Sequence, residues 1–282
     1  MAPRPTQRIT ARRLAVMSAV AVVSLAACTT SEADTERCGE GASCTTPPPS
    51  EPTTGTTNNV VDTSTPTAGA SQRMVFTAKD GTEIQYVLFV PEGRVEGTPG
   101  KVLFAFPPGG QDIDLAARLV DEKYHDEALA RDYVVVSPAA PSTGLFYNDE
   151  SAALVPELLD AIARQYPPEG GKFDLVGVSN GGLSAFKTAL AMPDRFRSLV
   201  VFPGYSPDGG DDPKLSTLTG MGVAMFVGGD DSGWLDASRQ TEATLKASDI
   251  TVELHVIDGQ GHILGDALPG SDLFDALERV RQ

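Results

Sequence analysis

Short apolar runs that alternate with helical segments constrain the fold of this chain more than any other feature. Segment 102–106 is an unbroken apolar run, as a strand buried on both faces of a sheet requires. Comparable strands are predicted further along, at 133–137, 173–178, 198–202, 223–227 and 251–257. Stretches typical of helices lie among them, at 112–131, 149–166, 182–192, 238–247 and from 271 onward. This alternation predicts an α/β fold with a mostly parallel sheet that helices cover on both faces.

A hairpin is predicted ahead of this pattern. Segments 74–76 and 84–90 are rich in β-branched and aromatic residues, and Lys-Asp-Gly at 79–81 is a turn sequence between them. We therefore expect two antiparallel strands at the start of a folded domain that extends from 72 to 282.

The first 27 residues have the composition of a signal peptide. Several arginines precede an apolar stretch at 14–27, which is shorter than a membrane-spanning helix requires. The stretch ends in Leu-Ala-Ala-Cys at 25–28, which resembles the lipobox of bacterial lipoproteins. This resemblance implies a lipid on Cys28, a location outside the cytoplasm, and membrane contact through that lipid only. An ordinary secretory signal and an uncleaved anchor are the alternatives.

Residues 28–71 are predicted to form a disordered stalk. They are rich in Thr and Pro and contain no aromatic residue, so they cannot bury enough apolar area to offset backbone entropy. Cys38 and Cys44 lie in this stalk, and outside the cytoplasm we expect them to form a disulfide. A metal site is not expected there, because no His is near and two thiols are too few to close a zinc site.

The charge of the chain excludes one class of partner. With 22 basic and 38 acidic side chains, the formal net charge is −16. Binding to nucleic acid needs Lys and Arg to displace counterions from the phosphates, so a nucleic-acid partner is not expected.

A turn at 177–181 with the sequence Gly-Val-Ser-Asn-Gly is the leading candidate for chemistry. It follows a predicted strand and precedes a predicted helix, the context in which Gly-x-Ser-x-Gly presents a nucleophilic serine, here Ser179. The helix N-terminus also adds positive partial charge beside the serine. A glycine-rich strand-to-helix turn of another α/β fold, such as a nucleotide binder, is the alternative interpretation.

Three histidines are candidates for a general base. His125 is expected on a helix surface, and His255 lies inside a predicted strand, where a packed histidine is the ordinary interpretation. His262 follows that strand in Gly-Gln-Gly-His at 259–262, and such a glycine-rich loop allows an imidazole to reach over the edge of the sheet. His262 is therefore the preferred base.

Acidic residues follow the strand at 223–227, in Gly-Gly-Asp-Asp at 228–231. A carboxylate there can accept a hydrogen bond from a histidine and fix its tautomer. Asp230 and Asp231 are both candidates, and Asp236 and the cluster at 208–212 are further ones.

The fourth loop of interest is Pro-Pro-Gly-Gly-Gln at 107–111, which follows the strand at 102–106. Proline has no N–H to donate, so a backbone donor in this loop must be Gly109 or Gly110, and we prefer Gly109. A plain turn is the alternative.

Taken together and in this order, the four loops resemble those of secreted α/β-hydrolases of the esterase group. That group includes polyhydroxybutyrate depolymerases, feruloyl esterases and dienelactone hydrolase-like proteins. The resemblance extends from about residue 73 to the end of the chain. It implies an α/β-hydrolase fold and a serine hydrolase that cleaves carboxylic esters, small or polymeric, through an acyl-enzyme. It implies no metal and no organic cofactor.

The resemblance also implies a role for each site residue. Ser179 is the nucleophile and His262 the base, since the family order is serine, acid, histidine. Asp231 is preferred as the acid, because in similar enzymes the acid lies about three residues past the loop glycine. The oxyanion hole is expected from the N–H groups of Gly109 and Asn180. Pro-Pro in place of the family's His-Gly is a departure that affects the geometry of this loop.

Two other functions are compatible with the same residues. The fold also supports amide or peptide cleavage, although relatives with that activity usually carry an additional domain. A non-catalytic surface lipoprotein is the third possibility, and a complete set of Ser, Asp and His argues against it. Four aromatic residues are candidates for lining a substrate pocket, and simple packing is the ordinary interpretation of each: Phe146, Tyr147, Tyr205 and Trp234.

Overall fold

The computed structural model describes residues 67–281 of the 282-residue chain. The predicted signal peptide at 1–27, the predicted lipidation site Cys28, the disulfide expected between Cys38 and Cys44, and most of the predicted stalk lie outside the described residues. The first strand begins at Ser71, the last residue that composition assigns to the stalk, because backbone pairing with Phe89 extends the sheet to that position.

All eight predicted strands are present, and they form one sheet in the order β1-β2-β4-β3-β5-β6-β7-β8. β1 pairs antiparallel with β2, and β2 antiparallel with β4, whereas the remaining neighbours are parallel. The predicted hairpin and the mostly parallel sheet are therefore confirmed. The strands are β1 Ser71–Thr77, β2 Glu83–Phe89, β3 Lys101–Phe106, β4 Tyr133–Pro138, β5 Phe173–Gly177, β6 Phe196–Val201, β7 Gly222–Gly228 and β8 Val252–Ile257.

The helices depart from the predicted boundaries in three places. A π-helical turn, Val120–Tyr124, interrupts the helix predicted at 112–131. The helix predicted at 149–166 is broken before Pro156, whose ring cannot continue a helix from the preceding turn. The helix predicted at 238–247 begins at Ser232, because its first turns also pack against the domain. The helices are α1 Ile113–Leu119, α2 His125–Arg131, α3 Asp149–Ala152, α4 Val155–Gln165, α5 Asn180–Ala191, α6 Ser232–Ala247 and α7 Gly270–Val280.

Helices bury both faces of the sheet. α4 and α5 pack on one face through residues such as Leu158 and Phe186. α1, α2 and α7 pack on the other face through residues such as Ala116 and Phe274. Burial on both faces explains why the central strands are apolar runs rather than alternating sequences. Among residues 67–281, no helix has both the length and the hydrophobicity that crossing a membrane requires.

The parallel strands place four loops at one edge of the sheet. β3, β5, β7 and β8 run in the same direction, so their carboxyl ends, and the loops that follow, lie side by side. These are the loops that carry the candidate residues.

Candidate active site

Ser179 lies in the turn between β5 and α5 with a left-handed backbone, φ 54° and ψ −117°. A non-glycine residue in such a conformation is strained and persists only where its surroundings hold it. Here the N–H of Ser179 donates to the carbonyl oxygen of Pro203 at 3.0 Å. The turn thereby presents the hydroxyl at the partly exposed edge of the sheet, at the N-terminus of α5.

The glycine at 181 is required for this turn to form. A Cβ at Gly181 would lie 2.2 Å from the carbonyl oxygen of Phe106 and 2.5 Å from that of Pro107. Only glycine therefore allows the first turn of α5 to approach the end of β3. This contact brings Ser179 next to the loop at 107–111.

Ser179, His262 and Asp231 form a continuous hydrogen-bonded series. The Oγ of Ser179 lies 2.7 Å from Nε2 of His262, and Nδ1 of His262 lies 2.7 Å from Oδ2 of Asp231. The Asp231 side chain is 13% exposed and that of His262 is 38% exposed. The acid is thus largely shielded from water, while the serine end of the series opens to solvent.

Backbone contacts between two loops bring the acid to the histidine. The N–H of Asp230 donates to the carbonyl oxygen of Gln260 at 2.9 Å, which joins the loop after β7 to the loop after β8. A Cβ at Gly228 would lie 2.1 Å from the carbonyl oxygen of Gly261, so a larger residue would separate the loops.

The other acidic candidates lie elsewhere. The side chains of Asp230 and Asp236 are exposed. Asp212, from the 208–212 cluster, accepts a hydrogen bond from the Ser206 hydroxyl at 2.7 Å. Of the candidates considered, Asp231 is the one whose carboxylate contacts His262.

The other two histidines make local contacts. His125 begins α2, packs edge-on against Phe89 and lies 2.9 Å from the carboxylate of Asp126. His255, on the edge strand β8, stacks on Phe226 at 4.7 Å and lies 3.0 Å from the carboxylate of Glu253.

Two backbone N–H groups near Ser179 are free to bind an oxygen atom. Among the hydrogen bonds within residues 67–281, the N–H groups of Gly109, Gly110 and Asn180 have no partner. Gly109 lines the cleft together with Ser179, whereas Gly110 does not, which favours Gly109 as the donor from this loop. The Asn180 side-chain amide donates to the carbonyl oxygen of Gly109 at 2.9 Å, so the same residue also holds the neighbouring loop.

Gln111 fixes the shape of the 107–111 loop, a role that the sequence analysis missed. Its side chain is fully buried, and its backbone has φ 53°. The amide nitrogen donates to the Ser184 hydroxyl at 2.9 Å, and the amide oxygen accepts from the Phe146 N–H at 3.0 Å. Its own carbonyl oxygen accepts from the Ala140 N–H at 2.6 Å. Gln111 thus ties this loop to α5 and to the loop after β4, in a chain that has Pro-Pro at 107–108.

Replacing Gln111 by methionine is expected to destabilise the protein and to slow catalysis. Methionine keeps the volume but leaves the Phe146 N–H unpaired in the interior, which costs about 1–3 kcal/mol. The loop then relaxes, so kcat on p-nitrophenyl acetate should fall more than KM rises. Urea unfolding and steady-state kinetics measure the two effects. Gln240→Met, at an exposed position on α6, is the matched control and should change neither.

An open cleft of about 690 Å³ lies beside Ser179 and His262. Its apolar lining comes from the loops and from α1. Charged side chains lie in the same lining, on α1, the π-helical turn and the loop after His262. The apolar members are Pro108, Leu115, Leu119, Val178, Phe202, Pro203, Ile263 and Leu264, and the charged members are Arg118, Glu122, Lys123 and Asp266.

Lys123 supports the wall of this cleft. Its Nζ donates to the carbonyl oxygens of Gly265, at 3.0 Å, and of Leu268. Partial burial lowers the pKa of the Lys123 ammonium, and the charges of Asp266 and Asp272 oppose this shift. The π-helical turn therefore anchors the segment that directly follows His262.

The four aromatic candidates do not line the cleft beside Ser179. Phe146 is buried in the core against Phe106, with ring centroids 5.2 Å apart. Tyr205 packs against Trp234, and Trp234 packs against His262. Packing, the ordinary interpretation of such residues, therefore holds for these three. The apolar members of the cleft lining are mostly aliphatic, and Phe202 is the one phenyl ring among them.

The described residues contain no cluster of three or more His, Cys, Asp or Glu side chains arranged to hold a metal ion. The groups at this site are a serine hydroxyl, an imidazole, a carboxylate and two N–H groups without a partner in the described part of the chain, a set that suits acyl transfer.

A family model described as "Putative esterase" matches residues 115–260, just over half of the chain. The chain belongs to this esterase family. The matched segment contains Ser179 and Asp231 and ends shortly before His262. The protein is therefore a serine hydrolase that acts on esters, as the resemblance implied. No curated protein matches the chain significantly.

Solved structures show the fold of this esterase. A thermostable esterase is 18% identical with a TM-score of 0.62, over 74% of this chain and 62% of its own, so this chain spans less than two thirds of that protein. An S-formylglutathione hydrolase from Agrobacterium tumefaciens is 18% identical with a TM-score of 0.62, over 77% of this chain and 99% of its own. A ferulic acid esterase is 17% identical with a TM-score of 0.57, over 75% of this chain and 97% of its own. The predicted α/β-hydrolase fold is confirmed.

Proposed function

We propose that this esterase hydrolyses carboxylic esters through an acyl-enzyme on Ser179, with His262 as base and Asp231 as the acid of a catalytic triad. One observation carries the proposal: two hydrogen bonds of 2.7 Å join Asp231 to His262 and His262 to Ser179. The distances suit proton transfer from the hydroxyl to the imidazole without a rearrangement.

In the acylation step, Ser179 Oγ attacks the ester carbonyl carbon while Nε2 of His262 takes the hydroxyl proton. Asp231 accepts from Nδ1, which keeps the tautomer whose Nε2 is unprotonated and stabilises the imidazolium. The imidazolium then returns the proton to the leaving alkoxide, and the alcohol departs.

The negative charge on the carbonyl oxygen needs donors during both steps. The free N–H groups of Gly109 and Asn180 are suited to this role, and the N-terminus of α5 adds positive partial charge. Loss of one such donor costs about 3 kcal/mol of transition-state stabilisation in comparable enzymes. Water activated by His262 then attacks the acyl-enzyme and releases the acid, so the cycle needs no cofactor.

The apolar side chains that line the cleft suit the acyl part of the ester. Ile263 lies on its rim and is 83% exposed, the largest exposure among the large hydrophobic residues of the described chain. A substrate chain that covered this side chain would remove apolar surface from water on both molecules. We therefore propose esters with acyl chains of several carbons as the preferred class.

Replacing Ile263 by serine tests this preference. Since each buried methylene contributes about 0.8 kcal/mol, kcat/KM of the wild type should rise from p-nitrophenyl acetate to the octanoate. Ile263→Ser should lower kcat/KM for the octanoate roughly fivefold to tenfold and leave that for the acetate unchanged. Val95→Ser, at an exposed position outside the cleft lining, is the matched control. Equal losses for both esters would contradict the assignment of the cleft.

Two measurements on the wild type test the proposed chemistry. The protein should turn over p-nitrophenyl acetate and butyrate, and a fluorophosphonate should label Ser179 covalently. Absence of both turnover and labelling would exclude ester and amide hydrolysis by this serine and favour a non-catalytic binding protein.

We also propose that the enzyme works outside the cytoplasm, held to a bacterial membrane by lipid on Cys28. The support is the Leu-Ala-Ala-Cys sequence that follows the apolar stretch at 14–27. Mass spectrometry of the N-terminal peptide from protein made in a bacterium should show diacylated Cys28 as the first residue. An unmodified Cys28 within a longer peptide would contradict the anchor.

A further inference from the structure

Trp234 is the one tryptophan of the chain, and it lies in the first turn of α6, three residues after Asp231. Asp231 is the N-cap residue of this helix, so the carboxylate and the indole come from the same short segment. This segment supplies the carboxylate that contacts His262 and presents an indole to the same imidazole.

The indole lies between two rings. Its centroid is 4.9 Å from that of the His262 imidazole, with 53° between the planes. On its other side, Tyr205 packs edge-on at 5.0 Å and 65°. Such tilted and edge-to-face arrangements are the preferred geometries of aromatic pairs. Tyr205 thus supports Trp234, and Trp234 contacts His262.

The imidazole needs support beyond its hydrogen bonds. Its bonds to Asp231 and Ser179 lie at opposite sides of the ring, so they fix its two ends but oppose rotation about the line joining them only weakly. The loop behind it contains Gly259 and Gly261, which restrict the backbone little. Rotation about that line would tilt the plane of the ring, and with it the in-plane lone pair of Nε2, relative to the serine hydroxyl.

We infer that Trp234 is a positioning residue that holds the plane of the His262 imidazole and so keeps Nε2 directed at Ser179. The inference rests on the proposed function for its kinetic consequence, but the contact itself can be tested without turnover. Trp234 is absent from the cleft lining, which separates this role from substrate binding.

The kinetic test compares Trp234→Phe with Trp234→Ala on p-nitrophenyl acetate. Phenylalanine retains an aromatic face, so kcat should stay within threefold of the wild type. Alanine removes the support, so kcat and the rate of fluorophosphonate labelling should each fall at least tenfold, with KM changed less than twofold. A kcat for Trp234→Ala within twofold of the wild type, or a loss confined to KM, would overturn the inference. Thermal unfolding reports whether either variant remains folded.

The spectroscopic test uses Trp234 itself, the one tryptophan of the chain. The emission of an indole depends on its immediate neighbours, so His262→Gln should change the emission intensity or maximum at neutral pH, because it removes the ring that lies 4.9 Å away. His255→Gln replaces a histidine that stacks on Phe226 and is the matched control, whose emission should equal that of the wild type.

The two tests separate the inference from the proposed function. A wild-type protein without turnover or labelling would refute the proposed chemistry, yet the emission change would still report the contact between Trp234 and His262. If the emission of His262→Gln is identical to that of the wild type, the contact does not exist and the positioning role is refuted, whatever the activity.

Discussion

Ser179→Ala is expected to lower kcat on p-nitrophenyl acetate by about 10⁴-fold or more, since loss of the nucleophile removes the covalent route entirely. Fluorophosphonate labelling should disappear with it. Residual hydrolysis would come from the oxyanion donors and from substrate binding, which alone accelerate such reactions. Steady-state kinetics and intact-protein mass spectrometry measure the two losses.

The control for this variant is Ser142→Ala, which makes the same change at an exposed loop position. It should retain wild-type kinetics and labelling. Ser179→Ala should unfold near the wild-type temperature, because Oγ of Ser179 bonds only to His262 within the described residues. Turnover of Ser179→Ala within tenfold of the wild type would show that another group performs the reaction.

Asp231→Asn is expected to have the second largest effect, a loss of about 10⁴-fold in kcat at neutral pH. An asparagine can donate to Nδ1 of His262, which favours the tautomer with a proton on Nε2. That nitrogen then cannot accept the proton of Ser179, although the hydrogen-bonded geometry is retained. The pH dependence of kcat/KM for the two proteins measures the effect.

Asp230→Asn is the matched control, since it makes the same change one residue away on an exposed side chain. Its kcat should remain within about twofold of the wild type, as is usual for surface substitutions away from structural features. If Asp230→Asn is instead the inactive variant, the acid has been assigned to the wrong carboxylate.

The sheet and its four loops could be predicted from the sequence because their signals are local. The apolar run of β3 and the glycine-rich turn around Ser179 each identify a strand end within a few residues. Parallel strands bring such ends together at one edge. The family order excluded His125, and the position of His262 in a glycine-rich loop favoured it over His255, which lies inside a strand.

Interactions that depend on packing were not predictable in the same way. The π-helical turn Val120–Tyr124 differs from a regular helix by a single shift in hydrogen bonding, for which composition carries no signal. This turn places Lys123 in the wall of the cleft. The sequence offered four aromatic residues as candidates for the lining, whereas most of the apolar side chains that line the cleft are aliphatic. Gln111 likewise has the character of an ordinary polar loop residue until its burial is known.

For Trp234 the sequence offered packing or a place in a substrate pocket, but not a contact with His262. The helix was expected to begin at 238, whereas it begins at Ser232, so Trp234 lies in its first turn. The contact of the indole with the imidazole joins this turn to the loop after β8, and no local pattern encodes it.

The sequence by itself determined the α/β sheet, the serine turn and the histidine loop beside it, because strand burial and turn chemistry are properties of short segments. The resemblance favoured Asp231 over Asp230, but only the tertiary structure shows that the carboxylate of Asp231 contacts His262. These neighbours have the same side chain and differ in direction alone. That direction is set by the bond from the Asp230 N–H to the Gln260 carbonyl and by the close approach of Gly228 to Gly261. Both contacts join loops that are distant in the chain, so no local pattern encodes them.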